Sequence, residues 1–341
     1  MIRIGIICPS EIAYRRFLPA LKENTEFSYV GVAVATKEEW FQEEVSEEKA
    51  EAVLSKEQEK AAEFQKNYGG EIFEGYEAML CSDKIDAVYL PLPPALHYQW
   101  AKKALEYGKH VFLEKPFATC KKDAMDLIAT AKEKGLALHE NYMFVFHDQI
   151  SVIKEEIESG SIGDVRLYRV SFGFPRRAAG DFRYNKALGG GAILDCGGYT
   201  LKLGGLLLGE TAKVVHARKN ITDEFDVDLY GSAIMENDKG DTVQVSFGMD
   251  NGYKCDLEVW GSKGSLFTGR ILTAPAGFVP NMTIKTAEGE VVKELPADDT
   301  FLKSIQCFGA CVKEPGKREE NYKVIERQAE LLEAFMGLAQ R

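Results

Sequence analysis

The chain has little of what would tie it to a metal, a membrane or a nucleic acid. Its seven cysteines (Cys8, Cys81, Cys120, Cys196, Cys255, Cys307, Cys311) are odd in number and scattered, and none forms a CxxC pair. The five histidines do not join them at metal-ligand spacings, so no metal site is expected. Cys307 and Cys311 stand four apart, as neighbours on a helix face would, but two thiols do not make a zinc site. Reduced, mostly buried thiols in a cytosolic protein are the expectation. No apolar stretch approaches the roughly 20 residues that span a bilayer. The opening run Met1-Ile2-Arg3-Ile4-Gly5-Ile6-Ile7 has strand length and is too short for a signal peptide with its cleavage site. A cytoplasmic location is therefore expected. Positive charge is also short: the net charge of −11 argues against nucleic acid or anionic membrane as the main partner, and leaves a small molecule. Residues 38–66 carry ten acids against four lysines, and their alternation of Glu and Lys fits a solvated helix.

What is present is enough apolar material for two cores: 341 residues with 45% hydrophobic content, where domains usually run to roughly 100–200 residues. The first third alternates strand-like and helix-like segments. Strands are predicted at 2–8, 28–35, 71–73, 86–91 and 110–114, with helices at about 11–24, up to Gln65, from Tyr76 and over 94–107. That alternation implies a parallel sheet covered by helices on both faces. Beyond about residue 162, strand-like runs follow one another at 164–174, 213–219, 226–236, 241–249 and 254–260, with a helical pattern at 187–208. This predicts an α+β domain on a largely antiparallel sheet. Helical segments at about 300–312 and 318–339 close the chain. No internal repeat or low-complexity linker interrupts it.

A strand followed by a helix at the N-terminus is where a Rossmann domain holds a pyrophosphate, on free backbone N–H groups at the helix start. The usual glycines are missing. The turn reads Cys8-Pro9-Ser10-Glu11-Ile12-Ala13, and only Ala13 fits GxGxxA. Cys8 and Ser10 are the next smallest residues, and the Ser10 hydroxyl can itself donate to a phosphate. Glu11 would repel a phosphate if turned inward, with Arg15 and Arg16 near enough to compensate. A plain βα turn without a ligand is the competing reading.

Two other stretches are more specific. The first runs Val88-Tyr89-Leu90-Pro91-Leu92-Pro93-Pro94-Ala95-Leu96-His97 and on to Gly108-Lys109-His110-Val111-Phe112-Leu113-Glu114-Lys115-Pro116. The second is Phe182-Arg183-Tyr184, then Leu188-Gly189-Gly190-Gly191-Ala192-Ile193-Leu194-Asp195-Cys196-Gly197-Gly198-Tyr199. Together, and in this order, they resemble the glucose–fructose oxidoreductase/inositol dehydrogenase/rhizopine catabolism (Gfo/Idh/MocA) family over essentially the whole chain. The tyrosine at 199 resembles the subset that includes dihydrodiol dehydrogenase and the sugar 3-ketoreductases. Glu140-Asn141-Tyr142-Met143 with His147, and the Trp260–Ser265 turn, look like that subset too.

The resemblance implies a Rossmann dinucleotide-binding domain over 1–119. It implies an α/β substrate and oligomerisation domain over 120–341, with a large, mainly antiparallel open sheet through which a homodimer or homotetramer would form. It implies a nicotinamide-dependent oxidoreductase acting on a sugar, nucleotide sugar or polyol. The alternatives are a dihydrodiol or xylose dehydrogenase-like enzyme, or a non-catalytic dinucleotide-binding regulator of the same fold. Lys115, Asp195 and Tyr199 take the catalytic positions. Cys8, Pro9, Ser10, Glu11, Ile12, Thr36, Lys37, Leu90, Pro93, His97, Glu114 and Lys115 take the cofactor positions, and Asn141, Arg183 and Tyr199 the substrate side. A capping or packing role competes for His97 and Asn141, and ion pairing for Arg183. Arg176-Arg177 would suit a diphosphate, against a solvated loop pair.

The residue types suit the chemistry without the family. Moving a hydride to a carbonyl creates an alkoxide, which needs preplaced donors and a proton source; an ammonium and a phenol supply both. Asp195 and Tyr199, four apart in a predicted helix, share a face. An acid closing the second strand would hold the ribose 2′-hydroxyl of NAD, but that strand ends Ala35-Thr36-Lys37, a hydroxyl and a cation. NADP(H) is therefore favoured over NAD(H), unless Glu38 or Glu39 turns inward.

Overall fold

The computed structural model describes residues 1–41 and 44–339; positions 42 and 43 of the acidic stretch lie outside the described residues. Two compact units emerge. The first comprises Met1–Ala118, Lys122–Asn141 and Phe301–Glu326, and the second Thr119–Lys121, Tyr142–Thr300 and Arg327–Arg341.

The first unit is built on a six-stranded parallel sheet of β1 (Ile2–Ile7), β2 (Phe27–Val34), β3 (Glu71–Glu74), β4 (Ala87–Leu90), β5 (His110–Leu113) and β6 (Leu138–Glu140), in the order β3-β2-β1-β4-β5-β6. This is the doubly wound dinucleotide-binding order, whose switch point lies between β1 and β4 at the carboxyl ends of the strands. Central strands buried on both faces read as apolar runs: Ala87–Leu90 is wholly buried. A single division at 119/120 does not capture the chain's return. The strand β6, reached through the helix Lys121–Lys134, extends this sheet, and Phe308 of helix Thr300–Lys313 stacks on Phe27 of β2.

The acidic stretch forms helix Glu47–Tyr68, capped by the Ser46 hydroxyl. Its buried stripe (Ala50, Glu57, Ala61, Phe64) follows the helical period, and the opposite face is charged and solvated. This stripe buttresses the turn after β1: Phe64 packs on Tyr14, and the Tyr68 hydroxyl donates to the Tyr14 carbonyl at 3.0 Å.

The second unit is an eight-stranded sheet. Its strands are β7 (Val165–Gly173), β8 (Lys213–Ile221), β9 (Asp228–Glu236), β10 (Thr242–Gly248), β11 (Lys254–Gly261), β12 (Gly264–Gly269), β13 (Asn281–Thr286) and β14 (Gly289–Glu294), in the order β14-β13-β12-β11-β7-β10-β9-β8. Every pairing is antiparallel except β7 with β10, so the sheet is mainly antiparallel as expected. Alternation along β9 and β11 puts one face in the core and the other outside. The strands β12 to β14 were not foreseen. β14 (Gly-Glu-Val-Val-Lys-Glu) is exposed along its whole length, so no alternation marks it. Helix Gly198–Leu208 packs on the inner face, with Gly204 fitted against Met235 and Val243. Among the described residues no helix is long and apolar enough to cross a membrane.

Candidate active site

The turn after β1 makes up for its missing glycines. Cys8 adopts φ +84°, the left-handed conformation that glycine ordinarily fills. Its thiol lies 4.0 Å from the Glu57 carboxylate and beside the Tyr76 hydroxyl. Burial, then the Glu57 charge, push that thiol up to about 12, so Cys8 stays neutral. Ser10 caps the following helix: its hydroxyl oxygen accepts from the Ala13 N–H at 3.2 Å, which leaves its own O–H available. The Ser10 N–H is used by the Cys8 carbonyl at 2.9 Å. The amides of Glu11 and Ile12, in the first helical turn, have no acceptor among the described residues. Glu11 is exposed and pairs with Arg15 at 2.7 Å, so its charge is directed to solvent. Two free amides and one hydroxyl at a helix start suit a pyrophosphate.

A non-glycine residue held at positive φ costs on the order of 1–2 kcal/mol. Cys8→Gly is accordingly expected to stabilise the protein by about 1 kcal/mol, read as a higher urea midpoint. A lower midpoint would mean that the thiol's contacts with Glu57 and Tyr76 outweigh the strain.

At the end of β2 no acid faces inward. The Thr36 hydroxyl accepts from the Glu39 N–H while the Glu39 carboxylate accepts from the Thr36 N–H, a reciprocal cap on helix Lys37–Trp40. The same carboxylate takes the N–H groups of Tyr76 (2.8 Å) and Glu77 (2.9 Å) at the start of helix Tyr76–Cys81. Glu39 is thus consumed by three backbone amides. Lys37 forms an ion pair with Glu47, which is almost fully exposed.

Between β5 and the next helix, Glu114, Lys115 and Pro116 form a turn with a cis Lys115–Pro116 bond, and its neighbours fix its backbone. The Glu114 N–H donates to Leu90 O (3.2 Å), and the Glu114 carboxylate accepts from the Tyr89 hydroxyl (2.6 Å) and the Asn141 side-chain amide (2.7 Å). The Asn141 carbonyl accepts from the Ser304 hydroxyl at 2.8 Å. The buried Glu140 carboxylate accepts from the Phe117 N–H at 2.9 Å. Asn141 is fully buried, so it acts on the turn through Glu114. Pro93 starts helix Pro94–Glu106.

His97, also fully buried, clamps both sides of this turn: Nδ1 lies 2.7 Å from the Pro116 carbonyl and Nε2 2.7 Å from the Leu92 carbonyl. Burial lowers its pKa to about 4; the two carbonyls oppose this and the Lys115 charge adds to it. A neutral ring donates to one carbonyl only. Because the folded pKa lies below the unfolded value, the unfolded chain takes up a proton below about pH 6.5 that the folded chain refuses. Stability is full above that pH and falls between about 6.5 and 4, by roughly 3 kcal/mol at about 1.4 per unit. Burial lowers His110 to about 4 as well, so urea titrations at pH 7.5 and 4.5 should show a loss of which His97→Gln removes about half. An equal loss in the variant would assign the dependence elsewhere.

In the second unit, the glycine run has a steric reason. The Gly191 N–H donates to the Arg183 carbonyl at 2.9 Å, and a Cβ on Gly190 would come within 2.4 Å of that carbonyl. Gly191 itself has φ +123°, and a Cβ there would meet the Asp228 carboxylate at 2.6 Å. That carboxylate caps the following turn by accepting the Ile193 N–H at 2.8 Å. Asp228 was not singled out from the sequence.

Ile193–Gly197 is a π-helical turn leading into helix Gly198–Leu208, so Asp195 and Tyr199 straddle two helix types instead of one regular face. Such widened turns are frequent at functional sites. Asp195 is buried and accepts from Arg183 Nε at 2.7 Å; Arg183 also bonds Asp181 at 3.1 Å. Burial works against the Arg183 charge, but Asp195 and Asp181 prevail and raise its pKa. Arg183 is therefore engaged with Asp195, a pairing the sequence did not reveal. Tyr199 is buried, edge-on to Tyr142 (5.0 Å) and Phe172 (5.3 Å), with its hydroxyl 3.9 Å from the Met143 sulfur. Arg176 is saturated by Glu224 (2.7 Å) and Asp250 (2.8 Å), and Arg177 lies over the Phe174 ring. This is the loop-pair reading, on the protein's own acids.

Comparison with known proteins shows the family. Residues 26–142 match the model of an oxidoreductase family with an NAD-binding Rossmann fold. Residues 150–267 match the GFO/IDH/MocA C-terminal domain. The first match starts past the glycine-poor turn. The chain is 37% identical over 335 residues to a dTDP-3,4-didehydro-2,6-dideoxy-alpha-D-glucose 3-reductase of Actinomadura kijaniata, covering 98% of this chain and 94% of that protein. It is 29% identical to D-xylose 1-dehydrogenase (NADP(+)) 2 of Haloferax volcanii, over 83% of this chain and 88% of that one. A 3-ketoreductase from Actinomadura kijaniata, solved in complex with NADP and TDP-benzene, superposes with a TM-score of 0.90 at 36% identity, covering 99% and 98% of the two chains. That enzyme has also been solved with one tyrosine changed to phenylalanine, and with one lysine changed to alanine or to glutamate.

Proposed function

We propose that this chain, which belongs to the Gfo/Idh/MocA oxidoreductase family, reduces the 3-keto group of a dTDP-linked deoxysugar such as dTDP-3,4-didehydro-2,6-dideoxy-α-D-glucose, with NADPH as reductant. The observation that carries this reading is that the sequence holds both Lys115 and Tyr199. They are separated by the same number of residues as the lysine and tyrosine replaced in the solved 3-ketoreductase, which is similar to this chain along nearly its whole length. NADPH supplies the hydride.

The chain's own residues do the rest. The Lys115 ammonium donates to the substrate oxygen as negative charge builds on it. The Tyr199 hydroxyl passes the proton. Arg183 and Asp195 form a buried ion pair one helical turn before Tyr199 and hold that turn. Asn141 and His97 position Lys115 through Glu114 and Pro116. Ser10 with the amides of Glu11 and Ile12 takes the pyrophosphate, and Thr36 with Lys37 the 2′-phosphate, since Glu39 is locked in its cap. Cys8 and Pro9 shape the turn; Leu90, Pro93 and Glu114 flank the nicotinamide. The protein works in the cytoplasm and pairs through the open face of the eight-stranded sheet. That face carries Trp260 and Phe267, both exposed, and light scattering should give at least a dimer mass.

The test is equilibrium binding of NADPH and NADH, followed by turnover on the dTDP-ketosugar and on D-xylose. Tighter NADPH binding with turnover of the nucleotide sugar supports the proposal. Turnover of free xylose alone would assign the chain to the dehydrogenase type of its Haloferax relative.

A further inference from the structure

Gly197 and Gly198 close the π-helical turn and lead directly into Tyr199. Both are glycine for steric reasons. A Cβ on Gly197 would come within 2.8 Å of the Ile193 side chain and 3.0 Å of the Phe247 ring, and one on Gly198 would overlap the Tyr142 hydroxyl. Close packing is thus obtained with the two residues whose backbone is least restrained, immediately before a side chain that must be placed accurately. Some other group has to hold that backbone.

Two side chains reach it. The Thr200 hydroxyl donates to the Gly197 carbonyl at 2.8 Å, from within the same helix. The Gln328 side-chain amide donates to the Gly198 carbonyl at 3.0 Å, from helix Pro315–Leu338, 130 residues further along. That carbonyl belongs to the peptide plane that ends on the Tyr199 Cα, so the bond from Gln328 fixes the plane from which the tyrosine side chain departs. At the other end of the turn the Asp228 carboxylate holds the Ile193 N–H. Gln328 is buried at 1% exposure, and its own Oε1 is buried without a partner among the described residues. A buried acceptor left unpaired destabilises a protein. For stability alone, an apolar residue of the same length would fill this place better, without the orphaned oxygen. The donor end of Gln328 is what the turn uses.

We propose, on the reading in which Tyr199 passes the proton, that Gln328 is a positioning residue for that step. It acts through the Gly198 carbonyl on the direction of the Tyr199 hydroxyl, not on the substrate. Proton and hydride transfer demand alignment of the reacting groups, and a displacement of about 1 Å can cost about 10²-fold in rate. A partial loss of restraint should cost less than that.

Gln328→Met keeps the length of the side chain and removes the donor. The native enzyme, Gln328→Met, Tyr199→Phe and the double variant are compared for kcat and KM on the ketosugar and for urea midpoint. Gln328→Met should lower kcat about tenfold, with KM for sugar and NADPH within about threefold and the urea midpoint unchanged or higher. In the Tyr199→Phe background no hydroxyl remains to be directed, so the same replacement should change the residual kcat by less than about twofold. Native kcat in Gln328→Met overturns the proposal. So does a tenfold loss that persists in the Tyr199→Phe background, which would give Gln328 a role in the fold at large. If neither Gln328→Met nor Gln328→Leu folds, Gln328 serves the fold and the proposal likewise falls. Native kcat in Tyr199→Phe alone is a different failure: it removes Tyr199 from the chemistry, and the role of Gln328 with it.

Discussion

Lys115→Ala is expected to lower kcat by about 10³-fold while NADPH binds within about threefold of the native affinity. Removing one preplaced donor from a developing oxyanion costs about 10²–10³ in rate, and the ammonium is also the cation beside the reacting oxygen in the proposed mechanism. The backbone of the turn is held by other groups. Glu114 is held by Tyr89, Asn141 and Leu90 O, Pro116 by His97, and Phe117 by Glu140. The loss should therefore appear in kcat, with circular dichroism and nucleotide fluorescence unchanged. Asn141→Leu makes the contrast: it leaves the ammonium in place but frees Glu114, so it should raise KM and lower kcat together. A Lys115→Ala enzyme within tenfold of native kcat would remove Lys115 from the chemistry.

The second large effect is on stability. Arg183→Met is expected to cost about 1.5–3 kcal/mol, because it removes the charge-assisted hydrogen bond to the buried Asp195 carboxylate. Arg183 also bonds Asp181 and lies over the Phe182 ring at 4.6 Å, so part of the loss is packing; methionine retains some of it. The double replacement Arg183→Met with Asp195→Leu removes the buried carboxylate as well and should recover part of the loss in urea midpoint. If the double variant is no more stable than the single one, Asp195 is not the cause.

How far the sequence reached depends on where each residue's partners lie. Glu114-Lys115-Pro116 and the Gly189–Gly191 run were legible because their meaning is local: a strand end and a tight entry to a helix. The six-stranded parallel sheet was legible from apolar runs such as Ala87–Leu90. Glu39 was ambiguous, since its inward or outward direction is decided by the amides of Tyr76 and Glu77 on another element. The spacing Thr36-x-x-Glu39 is a capping-box signature and would have pointed outward. The Arg183–Asp195 pair had no such signal, because a π-helical turn changes which residues share a face. Asp228 was hidden for a similar reason: its cap on Ile193 joins residues far apart in sequence. The turn after β1 is the reverse case. Its composition argued against a ligand, but the positive φ of Cys8 and the free amides of Glu11 and Ile12 show a backbone shaped as glycine would shape it. The acidic stretch, which had no assigned role, supports that turn through Glu57, Phe64 and Tyr68.

The most direct test is transfer of label. The purified protein is given NADPH carrying deuterium at both C4 positions of the nicotinamide, with the dTDP-ketosugar in ordinary water, and the product is read by NMR. The account predicts one deuterium at C3 of the sugar in the native enzyme and essentially none formed at the same rate by Lys115→Ala. Deuterium at another carbon, or NADPH consumed without a deuterated sugar, would contradict it.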